Sequence, residues 1–201
     1  MAVLVALGLG ACSSSQPEPP RPGDAFARPA VGDERRIELP PGQEVVQVLY
    51  GLQNASEEPL EITKLRAVPG AGIPDAAQIV QVSLLSSEGP HLPGVYVTFP
   101  PVTRAEGKCV RADVLAPRET TVEPGSDVFV LLWLRSVAEG RAEVTGLRVR
   151  YEQAGVTYEQ GLDLGPPTEL HIDLDDDVVA PSRDERACAS QARFLPGSVR
   201  Y

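Results

Sequence analysis

The chain has 201 residues, with 18 Lys and Arg against 28 Asp and Glu, for a formal net charge of −10. An acidic balance of this size weighs against electrostatic capture of nucleic-acid phosphates, and it predicts that an anionic membrane repels the body of the protein. Lysine occurs only at Lys64 and Lys108 while Ala, Arg, Gly and Pro abound, which is the bias of GC-rich coding.

In chain order, Ala2 to Leu9 is almost wholly apolar, and Leu9-Gly10-Ala11-Cys12 then places small residues directly before a cysteine. Signal peptidases need small side chains beside the bond they cut, and the run is too short to span a bilayer. These residues resemble the lipobox of bacterial lipoproteins, and with the GC-rich bias the resemblance is to actinobacterial envelope lipoproteins. It implies that residues 1–11 are a removed signal peptide and that Cys12 carries the lipid and becomes the mature N-terminus. It also places the protein at the cell membrane, on the extracytoplasmic face. One departure from the pattern is that no Lys or Arg precedes Arg21, as if translation started upstream of Met1.

Residues 12–33 read as a disordered tether. Pro17, Pro19, Pro20, Pro22 and Pro29 lie among Ser and Arg with few large apolar side chains. Proline fixes φ and lacks a donor, so such a stretch favours extended, solvated chain of about 3 Å per residue.

Residues 34–165 read as short strands divided by turns. Val45–Leu52 is β-branched and apolar, and Gln53-Asn54-Ala55-Ser56 is a turn rather than a glycosylation site. Leu60–Val68 alternates imperfectly, which suggests a strand with two partly covered faces. Ile79–Leu85 and Val95–Phe99 follow, with Val110–Leu115 a weaker candidate. Phe129–Leu134 is continuously apolar and should be a central strand buried on both faces. In Leu147-Arg148-Val149-Arg150-Tyr151 the apolar side chains point one way and the arginines the other. The chain resumes at Val156-Thr157-Tyr158 after Gly155, predicting a β-hairpin. No segment has the spacing of an amphipathic helix beyond a turn at Pro74-Asp75-Ala76-Ala77.

Strands about ten residues apart with Gly and Pro turns predict an all-β sandwich. The Val122-Glu123-Pro124-Gly125-Ser126 phrase, the buried run after it and the Tyr151/Tyr158 hairpin resemble immunoglobulin-like modules of secreted bacterial proteins. The antibody Cys…Trp…Cys arrangement is not matched, because Cys188 lies beyond the strands.

Residues 166–201 read as an acidic, mostly irregular tail in which Pro166-Pro167 ends the sheet. With Cys12 lipidated, Cys109 and Cys188 remain, and in an oxidising compartment they are expected to form a disulfide that ties the tail back.

The chain shows no catalytic constellation. His91 and His171 stand outside any Ser or Cys nucleophile motif, and no phosphate-cradling glycine loop occurs. Met1 is the only methionine, and the few imidazoles and thiols do not cluster as copper or zinc ligands. Asp173, Asp175, Asp176 and Asp177 could offer oxygens to calcium, but without the glycine turn and distal Glu of an EF-hand they read as a solvated acidic edge. The arginines at 148 and 150 could meet an anionic partner, though such alternation is also the wet face of a half-covered strand. The reading is of a non-catalytic envelope lipoprotein without cofactor or metal, held to the membrane by its anchor and binding or scaffolding an envelope component that the sequence does not name. The alternative is an enzyme or calcium-binding protein whose site is assembled from scattered carboxylates.

Overall fold

A computed structural model describes residues 19–27, 35–86 and 94–192. In chain order the strands are β1 (Arg21–Pro22), β2 (Arg35–Leu39), β3 (Glu44–Gln53), β4 (Leu60–Pro69), β5 (Ala77–Ser86), β6 (Gly94–Tyr96), β7 (Val102–Ala105) and β8 (Lys108–Arg111). They continue with β9 (Val114–Leu115), a 3-10 turn at Pro117–Glu119, β10 (Thr120–Val122), β11 (Asp127–Ser136), β12 (Gly140–Gln153) and β13 (Val156–Ile172), and the helix α1 (Arg183–Ala192) closes the order.

These strands form an all-β sandwich. One sheet runs β1-β13-β12-β4-β10 with β2 also on β13, and the other runs β6-β3-β11-β5-β9. The main core lies between them, with Leu49, Leu52, Leu132 and Leu134 of the second sheet meeting Ile62, Leu147, Val149 and Tyr151 of the first. Each large apolar side chain buried there contributes about 1.5 to 3 kcal/mol.

The hairpin of β12 and β13 turns through two residues, Ala154 and Gly155, with φ of 49° and 73°. Two positive φ angles in succession give the twist that matches right-handed strands. Gln153 therefore faces Val156, and the ladder runs to Gly140 opposite Ile172. Leu147, Val149 and Tyr151 are buried, as their alternation requires.

β11 is central in its sheet, and its run is continuously apolar because both faces are covered. Val130, Leu132 and Leu134 enter the main core, while Leu131 enters a second cluster on the outer face against which Phe129 and Trp133 pack. Trp133 is half-buried: its ring stacks on Phe99 with centroids 4.5 Å apart, and its Nε1–H donates to Glu44 Oε2 at 3.0 Å.

Three expectations for the chain ends are corrected. First, the described part of the supposed tether is docked. β1 pairs in parallel with β13, placing Arg21 opposite Tyr158, and Ala25 and Phe26 are buried. The backbone of Phe26 is held twice by one amide, its N–H donating to Gln160 Oε1 (2.9 Å) and its carbonyl accepting from Gln160 Nε2 (2.8 Å). The phenyl ring meets Tyr151 edge-on at 5.3 Å. Proline content argues against regular structure, but one aromatic anchor with a satisfied backbone is enough to dock an extended segment.

Second, Pro166-Pro167 does not end the sheet. The register passes from Gly146 opposite Asp163 to Val144 opposite Thr168, so the prolines lie in a bulge where no ladder donor is needed. Beyond it β13 continues to Ile172 and pairs with β2, so the sheet crosses the boundary expected at residue 165.

Third, Arg183–Ala192 is helical rather than irregular. Ser182 and Glu185 form a capping box: Glu185 N–H donates to Ser182 Oγ (3.1 Å) and Ser182 N–H to Glu185 Oε2 (2.9 Å). The buried Glu185 also accepts from the N–H groups of Val97 and Thr98, fastening α1 to the segment that covers Trp133. Cys188 of α1 is disulfide-bonded to Cys109 of β8, with Cα atoms 5.6 Å apart.

Phe26→Ala should cost about 3 to 5 kcal/mol in urea unfolding, since it empties a buried aromatic site. Arg148→Ala, on the solvated face of β12, should cost under about 0.5 kcal/mol.

Tyr151 yields a pH dependence. Burial pushes its phenol above the ordinary 10.0, opposed in part by the hydrogen bond from the Ala25 N–H, 3.2 Å away. The folded protein therefore retains this proton where the unfolded chain loses it, so stability should fall as pH rises past about 10. Urea midpoints measured on both sides of that pH should show the decline, and Tyr151→Phe should reduce it.

Candidate cationic interface

The irregular alternation of β4 has a structural cause. Leu60, Ile62 and Leu65 are all buried, which strict alternation forbids, and the ladder slips between Lys64 opposite Arg150 and Ile62 opposite Tyr151. Thr63 is the extra residue of this bulge, and its hydroxyl donates to the Arg150 carbonyl at 3.2 Å. Lys64 and Val68 on the outer face are partly covered, as expected, and the bulge is what breaks the alternation. The bulge resets the phase of β4, so Lys64 and Arg66 share the outer face of the sheet with Arg148 and Arg150.

On that face Arg66 stands directly opposite Arg148, and Lys64 directly opposite Arg150. Like charges across a ladder destabilise it, two unit charges about 5 Å apart in water repelling by roughly 0.8 kcal/mol. One carboxylate offsets them: Glu159 of β13 accepts from Arg150 at 2.9 Å and lies 3.7 Å from Arg148 Nε. Lys64, Arg66, Arg148, Arg150 and Glu159 line a hollow of about 170 Å³. Beside it Thr63, Lys64, Arg118 and Arg150 line another of about 370 Å³. Among the described residues, Lys64, Arg66 and Arg118 make no ion pair. The patch ends toward the hairpin turn, where the exposed Glu61 and Glu152 face each other. Such a surface can hold a phosphate or carboxylate by charge-assisted hydrogen bonds. Beside those cations stand the Thr63 hydroxyl, which donates to the Arg150 carbonyl, and the Glu159 carboxylate, which is held by Arg150.

The other residues singled out from sequence are dispersed. Cys12 and His91 lie outside the described residues. His171 sits on β13 with Nε2 3.1 Å from Glu169 Oε2, and lines a mixed-charge hollow of about 350 Å³ with Arg36, Glu38, Arg141, Asp173 and Asp176. Asp173 spends an oxygen on its own turn, accepting from the Asp175 N–H at 3.0 Å. Among the described residues no group of three or more His, Cys, Asp or Glu is placed to hold a metal ion. Asn54 is fully buried, its side-chain nitrogen donating to the carbonyls of Glu58 and Val122, so it serves the turn.

Sequence reasoning reached Arg148 and Arg150 but missed Lys64, Arg66 and Arg118. Their membership depends on the β4 bulge and on which strand pairs with β12. The break in alternation between Ile62 and Leu65 was the available signal.

No family model matches this chain, and no curated protein matches it by sequence. Among solved structures it is similar to the ASH / PapD-like domain of human CEP192 (PapD-like domain 7), at 10% identity and a TM-score of 0.36, over 85% of this chain and 99% of that one.

Proposed function

We propose that this protein is a non-catalytic envelope lipoprotein, held at the extracytoplasmic face of the cell membrane by acyl chains on Cys12. Its sandwich binds or scaffolds an anionic component through Lys64, Arg66, Arg148 and Arg150. The observation that carries the reading is the pair of like-charge oppositions between β4 and β12 on a chain whose net charge is −10. Folding gains nothing from them, whereas an anion seated between the strands would relieve their repulsion. The anchor is supported by the lipobox-like Leu9-Gly10-Ala11-Cys12. Among the described residues no helix is long and apolar enough to cross a membrane.

The two parts of the proposal are tested separately. Neutralising the face with Lys64→Gln and Arg148→Gln should leave stability within about 0.5 kcal/mol of wild type, or raise it, because repulsion is removed. The same variant should lose most of its binding to fluorescein-labelled polyglutamate, read by anisotropy at low ionic strength, and wild-type binding should fall as salt screens it. Equal binding by variant and wild type would overturn the anionic-ligand reading.

Cys12→Ser should remove the protein from the membrane fraction or leave its precursor uncleaved. A variant that is processed and partitions like wild type would overturn the anchor.

A further inference from the structure

We propose that the cationic face of the first sheet lies against the bilayer itself, with anionic lipid headgroups seated on Lys64, Arg66, Arg148 and Arg150. This rests on the reading above, in which Cys12 is acylated and this face takes anions, and it names which anion.

The route of the chain supports it. Described structure begins at Pro19, and the stretch from Cys12 to Pro19 spans at most about 25 Å even when fully extended. The chain then enters the fold at the edge of the very sheet that carries the cations. Arg21 pairs opposite Tyr158 and Pro22 opposite Glu159, and Glu159 in turn stands opposite Arg150. Two strand spacings, about 10 Å, separate the entering chain from β12. An acylated Cys12 therefore holds these cations within about 35 Å of the headgroups, a distance over which the tether lets the face come into contact with them.

Charge supports it as well, and it revises the expectation that an anionic membrane repels the whole body. At physiological salt a charge is felt over about 8 Å, so the headgroups sense the nearest patch rather than the net charge of −10. Each basic side chain brought to an anionic surface raises partitioning about fivefold. The acyl chains hold the protein at the bilayer, and the basic patch then selects which face is turned to the headgroups. Glu61 and Glu152 at the border of the patch reduce the gain and limit the contact to the cationic hollows.

The chain contains its own reporters, because Lys64 and Lys108 are its only lysines. Lys64 lies on the cationic face, and the exposed Lys108 begins β8, in the two-stranded unit with β7 that α1 packs against. Ala112, just after β8, belongs to the cluster on the outer face of the second sheet. The experiment reconstitutes the full-length lipidated protein into vesicles of phosphatidylcholine alone or with about one-third phosphatidylglycerol. Pulse acetylation and mass spectrometry then read both lysines, with detergent-solubilised protein as the reference. On anionic vesicles Lys64 should react at least about fivefold more slowly than on neutral ones, while Lys108 is unchanged. High salt should restore Lys64, and Arg148→Gln should weaken its protection.

Lys64 reacting equally on both vesicles would overturn the membrane-facing proposal. If polyglutamate binding still depended on Lys64 and Arg148, the face would be assigned to an acidic macromolecule instead. If that dependence were absent too, the anionic-ligand reading would fall with it. Slowing of both lysines together would mean burial without orientation, and would also count against the proposal.

Discussion

Alternation along β12 assigns Leu147, Val149 and Tyr151 to the core and Arg148 and Arg150 to the opposite surface, and a slip of one residue would exchange the two sets. The two-residue turn at Ala154-Gly155 fixes that register from one end. Everything else on the first sheet is phased to it. β4 must bulge at Thr63 to keep Ile62 and Leu65 both inside, and the same bulge brings Lys64 and Arg66 level with the arginines. Core and cationic face are therefore two readings of one ladder.

The parts of the fold legible in the sequence were those governed by local pattern. Period-two alternation marked the hairpin, and unbroken apolarity marked β11, because both signals arise within a single strand. Two of the misreadings share a physical origin, which is that satisfaction by distant partners is invisible locally. Phe26 is secured by Gln160 and Tyr151, more than a hundred residues away, and nothing near Phe26 announces them. Pro166-Pro167 reads as a stop until a bulge absorbs it. The helix after Ser182 was different, since Ser182-Arg183-Asp184-Glu185 is a capping-box phrase that was available to be read. Pairing of Cys109 with Cys188 followed from simple elimination and compartment, and the structure joins them. The cationic face was half legible, two of its members lying on the clearest strand and the rest on the strand least regular in pattern.

One device fastens both extensions of the sandwich. Gln160 grips Phe26 by donating to its carbonyl and accepting from its N–H, and Gln43 grips Val179 in the same way at 3.0 and 2.9 Å. A primary amide presents the same donor and acceptor pair as a peptide unit, so each glutamine acts as a short piece of neighbouring strand. Where the chain is too irregular to add a ladder, a side chain supplies one rung. Extended segments thus dock with their polar backbone satisfied, which burial otherwise penalises by about 1 to 3 kcal/mol per group.

The parallel pairing of β1 and β2 with β13 bears on the order in which the molecule can be assembled. Arg21 and Ile37 are synthesised early, yet their partners Tyr158 and Leu170 belong to the last strand of the sandwich. Closing so wide a loop costs entropy before any contact repays it, so such pairings form late. An emerging chain cannot complete its first sheet until nearly all of it has been delivered, and Cys109 likewise waits for Cys188. A polypeptide with this connectivity leaves the edge of its first sheet unpaired until β13, more than a hundred residues further along the chain, has been made.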